Sequence, residues 1–205
     1  MTHIQRFDQE AATWDENPRK VRLAKAVAET IALKVPLLGG MEVLDFGCGT
    51  GLLTLKLLPS IGTITGADTS PGMLEVLRQK VLDQGLDAVS SYLLKPEDAY
   101  AIKGTYDLIV SSMTLHHVED LASLFGQFRE HLRPRGCVAL ADLDREDGSF
   151  HGNIEDVFHP GFQRGEIKAL LEGAGFVDLE DTTAYEVRRN GRDYPVFLIT
   201  GRLGR

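Results

Sequence analysis

Short apolar segments with strand character alternate along this chain with segments of helical periodicity, and this alternation constrains the fold more than any other feature. The first strand is predicted at Met41 to Phe46, directly before a glycine-rich turn and a helix. Four further strands are predicted at residues 63–67, 89–94, 106–111 and 136–141. Alternation of this kind gives a parallel sheet with helices on both faces, joined by right-handed connections.

Helix boundaries can also be placed from the sequence. An apolar stripe predicts a helix over Pro18 to Val35, before the first strand. Ser70 and Pro71 suit the N-cap and first position of another helix. Glu119 and Asp120 open a further helix, where their charge suits the positive end of its dipole.

The end of the chain departs from the alternation. Asn190-Gly191 separates two strand-like segments, 184–189 and 192–200. This dipeptide is the strongest short-range signal for a two-residue hairpin turn. The parallel sheet is therefore expected to end in an antiparallel hairpin.

Composition narrows the class of protein. With 205 residues and 43% hydrophobic residues, the chain suits one globular domain. The net charge of −8 argues against nucleic acid as a partner. Two cysteines cannot make a disulfide framework, and neither a leader pattern nor an apolar run of membrane-spanning length is visible. We therefore expect a cytoplasmic protein with no membrane partner, as a monomer or homodimer.

The segment from Asp45 to Gly51 forms a glycine-rich loop between the first strand and its helix. Its spacing is G-x-G-x-G, which differs from the G-x-G-x-x-G of dinucleotide-binding folds, and no Gly-Lys-Ser/Thr follows as in a P-loop. Asp45 would repel a pyrophosphate and attract a cation. A ligand with an ammonium group fits better than one with two phosphates, and the alternative is a tight turn without ligand.

A second acid, Asp68, ends the second predicted strand, 17 positions after Gly51. A carboxylate at this place can accept both hydroxyls of a ribose. The alternative role is a helix cap or Asx-turn before Pro71.

Three segments together resemble the motifs of class I S-adenosylmethionine-dependent methyltransferases, close to the ubiquinone and menaquinone methyltransferases. They are VLDFGCGTG (43–51), GADTSPGML (66–74) and YDLIVSSMTLHHVEDL (106–121), and the likeness extends over about residues 7–143. The resemblance implies a Rossmann-like α/β fold with a seven-stranded, mostly parallel sheet in the order 3-2-1-4-5-7-6, strand 7 antiparallel. It also implies one methyltransferase domain over 1–205, with an N-terminal helical lid at 1–38 and an acceptor-side segment at 144–163.

The resemblance further implies residues that would bind S-adenosylmethionine and its product S-adenosylhomocysteine. Asp45 would hold the ammonium group and Asp68 the ribose hydroxyls. Asp98, or alternatively Glu97, would accept from the adenine amine. The remaining expected contacts are Gly47, Cys48 and Gly49 around the methionine and ribose, Thr69, Met73 and Ala99 around the adenine, and Ser112 and Met113 along the methionine arm.

Histidines near the expected acceptor side are candidates for a general base, because their pKa lies near neutrality. His117 and His159 are the two predicted catalytic residues, with backbone-bonded loop histidines as the alternative. His116 is left open between core and solvent. Asp142, Asp144, His151 and His159 match no metal-ligand spacing, so no metal site is predicted.

Aromatic residues in the expected lid segments are candidates for an apolar acceptor pocket or a cation cage, with ordinary lid packing as the alternative. They are Phe7, Trp14, Phe150, Phe158 and Phe162. Arg188, Arg189 and Arg192 make the hairpin tip basic, which indicates a solvated turn or, second, an anionic partner.

The sequence thus favours an enzyme that transfers a methyl group to an O, N or C atom of a small molecule. Alternatives are a protein or RNA acceptor, and a cofactor-binding regulator without turnover. SSMT (111–114) stands where an Asn-Pro-Pro-Tyr-type tetrapeptide would indicate methylation of bases or protein glutamine. A nicotinamide oxidoreductase is disfavoured by the loop spacing and the terminal hairpin.

Overall fold

A computed structural model of the chain describes residues 3–150 and 157–204. A seven-stranded sheet runs through it in the order β3-β2-β1-β4-β5-β7-β6. The strands are β1 (Glu42–Phe46), β2 (Thr63–Asp68), β3 (Val89–Leu93), β4 (Tyr106–Ser112), β5 (Leu132–Leu143), β6 (Phe176–Arg189) and β7 (Arg192–Leu203). β7 pairs antiparallel with both β5 and β6, and the remaining pairs are parallel. The predicted fold class and strand order are confirmed.

Six α-helices flank this sheet in the described residues. They are α1 (His3–Glu10), α2 (Pro18–Lys34), α3 (Leu52–Leu57), α4 (Pro71–Gln84), α5 (Leu121–Glu130) and α6 (Arg164–Gly173). The side chain of Ser70 accepts a hydrogen bond from the Met73 amide, and that of Asp120 accepts one from the Ser123 amide. The Ser70 cap is the one that the sequence predicts for α4; at α5 the sequence predicts the helix start at Glu119 and Asp120, and the structure adds the cap by Asp120.

The terminal hairpin turns at Asn190 and Gly191, as predicted. Both residues have positive φ, 52° and 77°, and Arg189 pairs with Arg192 across the turn. Positive φ at both central residues is what a type I′ turn requires, and Asn-Gly accommodates it with little strain. The strands are longer than predicted, because the pairing of β6 with β7 extends back to Phe176 opposite Leu203.

Strand β5 also begins earlier than predicted. Leu132 already pairs with Tyr106 of β4, and the register shifts before Leu108 opposite Cys137. Pro134 and Gly136 predict that a strand should not extend through these positions. In the structure, the strand continues through them with an irregular register near its start. The buried side chain of Leu132 explains why the pairing starts there.

Both faces of the sheet are covered by apolar side chains. On one face Leu44 and Phe46 of β1 belong to a cluster with Phe125 of α5 and Ile167 of α6. On the other face Val43 belongs to a cluster with residues of α2 and α3. Alternate residues of β1 therefore serve opposite faces, which requires the near-continuous apolar run seen in its sequence.

The topology places the loops that could hold a ligand. The chain builds β2 and β3 on one side of β1 and then crosses to β4 on the other side. A crevice forms at such a switch point beyond the carboxyl ends of the strands. Within the described residues, no helix has the length and apolar character needed to cross a membrane.

Candidate active site

The glycine-rich loop after β1 is held against the ends of two neighbouring strands. The amides of Gly47 and Cys48 donate to the carbonyl of Ala67 in β2. Gly47 has a φ of 75°, and a Cβ placed on it would lie 2.2 Å from the side chain of Thr114 after β4. Only glycine combines this backbone conformation with so close an approach. The loop geometry is therefore fixed from both sides.

Asp68, at the end of β2, ties this loop to the next helix. One carboxylate oxygen accepts from the Gly49 amide at 2.7 Å, and the other accepts from the Ser70 amide at 2.9 Å. Burial raises the pKa of Asp68, although these amide bonds oppose the shift. Each oxygen keeps a lone pair, so the carboxylate can still accept a hydroxyl of a ligand.

Asp45 lies at the floor of the same crevice and is 1% exposed. Its carboxylate accepts a hydrogen bond from the Thr54 hydroxyl at 2.6 Å. Burial raises the pKa of Asp45 to about 7, with a smaller raising effect from the charge of Asp68 and a lowering effect from Thr54. A cation bound nearby would relieve the cost of ionising this group.

A cavity of about 610 Å³ opens over these residues. Its volume lies within the range of small-ligand sites. Most of the predicted cofactor contacts line it: Asp45, Gly47, Cys48, Gly49, Asp68, Thr69, Met73, Ser112 and Met113. The nearest atom to a Cβ placed on Gly49 would be the Met73 sulfur, 4.0 Å away, so the space beside this glycine is open to a ligand.

Two predicted adenine contacts do not line the cavity. Asp98 and Ala99 are exposed in the loop after β3, whereas Tyr100 and Leu94 line the cavity. Ala99 and Tyr100 both adopt positive φ, which turns the chain so that the tyrosine ring lies inward, 6.2 Å from the ring of Phe46. Sequence spacing did not indicate this turn, because neither residue is a glycine or asparagine.

The predicted histidines separate in the structure. His117 lines the cavity, and its ring lies 5.4 Å from that of Phe7 in an edge-on arrangement. His159 does not line the cavity. Its Nε2 lies 3.0 Å from the Val118 carbonyl oxygen and its ring packs against Phe162. The expectation that His159 serves as a base is therefore not supported by its position.

The structure adds a pair that sequence reasoning left open. His116 lines the cavity, and its Nδ1 lies 2.7 Å from a carboxylate oxygen of Asp142, which is fully buried at the end of β5. Burial alone would raise the pKa of Asp142, but His116, the Leu143 amide and His117 together lower it below its ordinary value. Asp142 therefore holds the His116 imidazole in place at the cavity wall. The sequence does contain a signal for this pair: Asp142 lies near the end of one strand, and His116 and His117 follow the neighbouring strand.

The N-terminal segment is fastened across the crevice by two carboxylates. Asp8 accepts from the Ser70 hydroxyl at 2.5 Å and from the Gly72 amide at 2.8 Å, at the start of α4. Asp15 accepts from the Thr50 hydroxyl at 2.6 Å and pairs with Lys80. These contacts place α1 and the following short 3-10 helix over the ends of β1 and β2.

The aromatic candidates divide in the same way. Phe7, Trp14 and Phe150 line the cavity. Phe158 is 48% exposed, and Phe162 is buried in the core. At the hairpin tip, Arg189 and Asn190 line the cavity, so this turn belongs to the site and is not a purely solvated turn.

His151, one of the residues weighed as a metal ligand, lies outside the described residues. Across 3–150 and 157–204, no cluster of three His, Cys, Asp or Glu side chains is arranged to hold a metal ion.

Comparison with known proteins agrees with the geometry. Residues 44–138 match a family model described as a methyltransferase domain. The chain is 30% identical over 156 residues to an uncharacterized methyltransferase of Schizosaccharomyces pombe, covering 69% of this chain and 55% of that protein. It belongs to the class I S-adenosylmethionine-dependent methyltransferases. The glycine loop, Asp68 and His117 all fall inside the matched span.

One further sequence relative and one solved structure are also similar to this chain. A ubiquinone biosynthesis O-methyltransferase of Aeromonas salmonicida is 26% identical over 73% of this chain and 65% of its own length. A phosphoethanolamine N-methyltransferase of Haemonchus contortus, solved with S-adenosylmethionine, shares the fold with a TM-score of 0.73 at 16% identity, over 87% of this chain and 52% of that chain. The chain thus spans about 55 to 65% of the length of these two sequence relatives.

Proposed function

We propose that this methyltransferase transfers the methyl group of S-adenosylmethionine to an O, N or C atom of a small molecule. The observation that carries the proposal is one cavity lined at once by Asp45, the glycine loop and Asp68, and roofed by the N-terminal segment. The donor groups suit the cofactor. Asp68 suits ribose hydroxyls, buried Asp45 suits an ammonium group, and the open space beside Gly49 admits the chain between them.

When bound, S-adenosylmethionine would supply an electrophilic methyl carbon to an electron pair of the acceptor, the pair of the broken carbon–sulfur bond would stay on sulfur, and a proton released by the acceptor would pass to a base or to water. The protein's task is then to hold the acceptor in line with that carbon and to exclude water. His117 is the candidate base for acceptors that lose a proton, because it lines the cavity. The Asp142–His116 pair lies directly behind it, with ring centroids of the two histidines 4.2 Å apart.

The N-terminal segment that covers the cavity, α1 and the 3-10 helix after it, also limits the size of the acceptor. The aromatic rings of Phe7 and Trp14 line the cavity and contact each other, with centroids 5.6 Å apart. A cavity of about 610 Å³ that holds the cofactor leaves space for a small acceptor. This supports a small molecule over a protein or RNA acceptor, in agreement with the acidic net charge of the chain.

The test is a calorimetric titration with S-adenosylmethionine, S-adenosylhomocysteine and NADH in turn. We expect micromolar binding of the first two and none of NADH. Asp68→Asn should weaken S-adenosylhomocysteine by roughly 1–3 kcal/mol, since a charged acceptor of ribose hydroxyls is lost. Asp87→Asn, an exposed acid just before β3 and at the opposite edge of the sheet from the cavity, is the control. Binding of NADH alone, or equal affinities in both variants, would contradict the proposal.

A further inference from the structure

Charge is divided unevenly along the cavity. Of the described residues that line it, the acids are Asp45 and Asp68, both at the strand ends where we place the cofactor. The other cavity walls carry cations. They are Arg6 of α1, Arg19 and Lys20 of α2, and Arg189 at the hairpin tip. A concentration of cations in a protein of net charge −8 is the opposite of what its composition would supply by chance.

Most of these cations lack a carboxylate partner in the described part of the chain. Lys20 lies 3.6 Å from Glu10, but no ion pair is formed there by Arg6, Arg19 or Arg189. The Nε of Arg6 is buried and has no hydrogen-bond partner among the described residues. A buried guanidinium nitrogen without an acceptor is costly, unless a ligand supplies the acceptor.

Two of the cations, Arg6 and Lys20, act on each other. Burial, and to a smaller degree the charge of Arg6, lower the pKa of Lys20, against the raising effect of Glu10. Arg189 lines the same cavity and donates to the Phe150 carbonyl. Like charges gathered around one space favour a ligand of opposite charge.

The surroundings of the aromatic rings argue against a cationic acceptor. Each of the three lid aromatics that line the cavity, Phe7, Trp14 and Phe150, already has a cation of the protein beside it. Arg6 lies 4.8 Å from the ring centroid of Phe7, Lys20 2.9 Å from that of Trp14, and Arg189 5.6 Å from that of Phe150. A cation cage, one of the two roles expected for these aromatics, would require the ligand to displace these groups and enter a positive field.

We infer that the acceptor is an organic anion, a carboxylate or phosphate with an apolar body that packs among Phe7, Trp14 and Phe150 while its charge meets Arg6 and Arg189. This inference rests on the proposed function. The methionine part of the cofactor carries one carboxylate, which can pair with one of the four cations. The remaining cations are then available to an anionic acceptor. Planar guanidinium groups suit both anions, because they can donate two parallel hydrogen bonds.

The experiment uses the full chain saturated with S-adenosylhomocysteine and three probes: 4-hydroxybenzoate, phenyl phosphate and the neutral 4-hydroxybenzamide. We expect at least one anion to bind about tenfold or more tightly than the amide, and its affinity to fall with added salt. The tighter anion identifies the acceptor as a carboxylate or a phosphate. Equal binding of the amide, or no binding of either anion, would overturn the inference.

Variants locate the binding groups. Arg6→Gln and Arg189→Gln should each weaken the preferred anion about tenfold and leave the amide unchanged. Arg188→Gln is the matched control, because Arg188 is exposed beside Arg189 and pairs with Asp193 outside the cavity. Circular dichroism checks that the variants are folded.

S-adenosylhomocysteine affinity separates the two proposals. It should stay within about twofold in the Arg6 and Arg189 variants. If it falls in parallel with anion affinity, these cations serve the cofactor and the inference is wrong. If wild-type protein fails to bind S-adenosylhomocysteine at all, the proposed function fails as well.

Discussion

The buried carboxyl of Asp45 should make the stability of the protein depend on pH in an unusual direction. Its pKa rises from the ordinary value of 3.8 to about 7, mainly because burial disfavours the charged form. A carboxyl with a raised pKa in the folded state stabilises the fold at low pH, below its unfolded value. That contribution is lost as pH rises from about 4 through about 7.

The magnitude follows from the same shift. At 1.36 kcal/mol per pH unit, the full change is about 4 kcal/mol, of which about 3 kcal/mol falls between pH 5 and pH 8. Urea unfolding of wild type and Asp45→Asn at pH 5, 6, 7 and 8 measures it as a difference, so that the titration of the histidines cancels. The variant should gain about 3 kcal/mol relative to wild type across this range. A difference that stays constant within about 0.5 kcal/mol would refute the reasoning.

The same carboxyl should couple cofactor binding to pH. If Asp45 holds the ammonium group as a carboxylate, binding must first release its proton. The affinity for S-adenosylhomocysteine should then rise up to about tenfold per pH unit between pH 5 and pH 7 and level off above. Asp45→Asn should abolish the rise, and the exposed-acid control Asp87→Asn should retain it. Parallel curves for wild type and Asp45→Asn would show that this side chain does not hold the ammonium group.

Three further changes test the site. Asp142→Asn should lower the free energy of unfolding by about 3–5 kcal/mol at pH 7, because it breaks a buried pair with His116. Unchanged stability in urea would contradict that pairing. Gly47→Ala should cost about 2 kcal/mol or more and weaken S-adenosylhomocysteine at least about tenfold, since a positive φ and the 2.2 Å approach of a side chain both oppose a Cβ. Gly126→Ala, in α5 with open space around it, should instead be neutral or stabilising by up to about 1 kcal/mol. Asp8→Asn should raise the dissociation rate of S-adenosylhomocysteine about five- to tenfold in stopped-flow measurements, because the roof loses charged bonds to the start of α4. An unchanged rate would mean that the roof does not control release.

Elements fixed by local chemistry could be predicted from the sequence. Ser70 caps its helix as expected, the helix predicted to open at Glu119 and Asp120 begins there, and Asn190-Gly191 turns the hairpin. The sheet order could be stated in advance only through the family resemblance, because strand alternation alone does not specify which strands are neighbours. The early start of β5 could not be predicted, since it depends on the pairing of Leu132 with a residue far away in the chain.

In the site, too, some residues could be placed from the local sequence, whereas others depend on contacts between distant parts of the chain. Asp45 is the penultimate residue of β1 and Asp68 is the last residue of β2, and the structure brings both to the cavity. Asp98 does not line the cavity, because two successive residues with positive φ turn Tyr100 inward in its place, and no local rule predicts them. His159 does not line it either, and its ring nitrogen lies against a backbone carbonyl of the segment after β4. The role of His116 depends on Asp142, which lies 26 positions away in sequence and becomes a neighbour only through the pairing of β4 with β5.

These differences explain why the donor is easier to infer than the acceptor. The cofactor half of the cavity, from Asp45 to His117, lies inside residues 44–138, the span that matches the family model. The part of the cavity that we propose for the acceptor is built from α1, α2, Phe150 and the hairpin tip, all outside that span. The matched segment therefore indicates the donor, whereas the proposed acceptor contacts come from segments that only the folded chain brings together. The four cations of the cavity, Arg6, Arg19, Lys20 and Arg189, all lie in these segments outside residues 44–138.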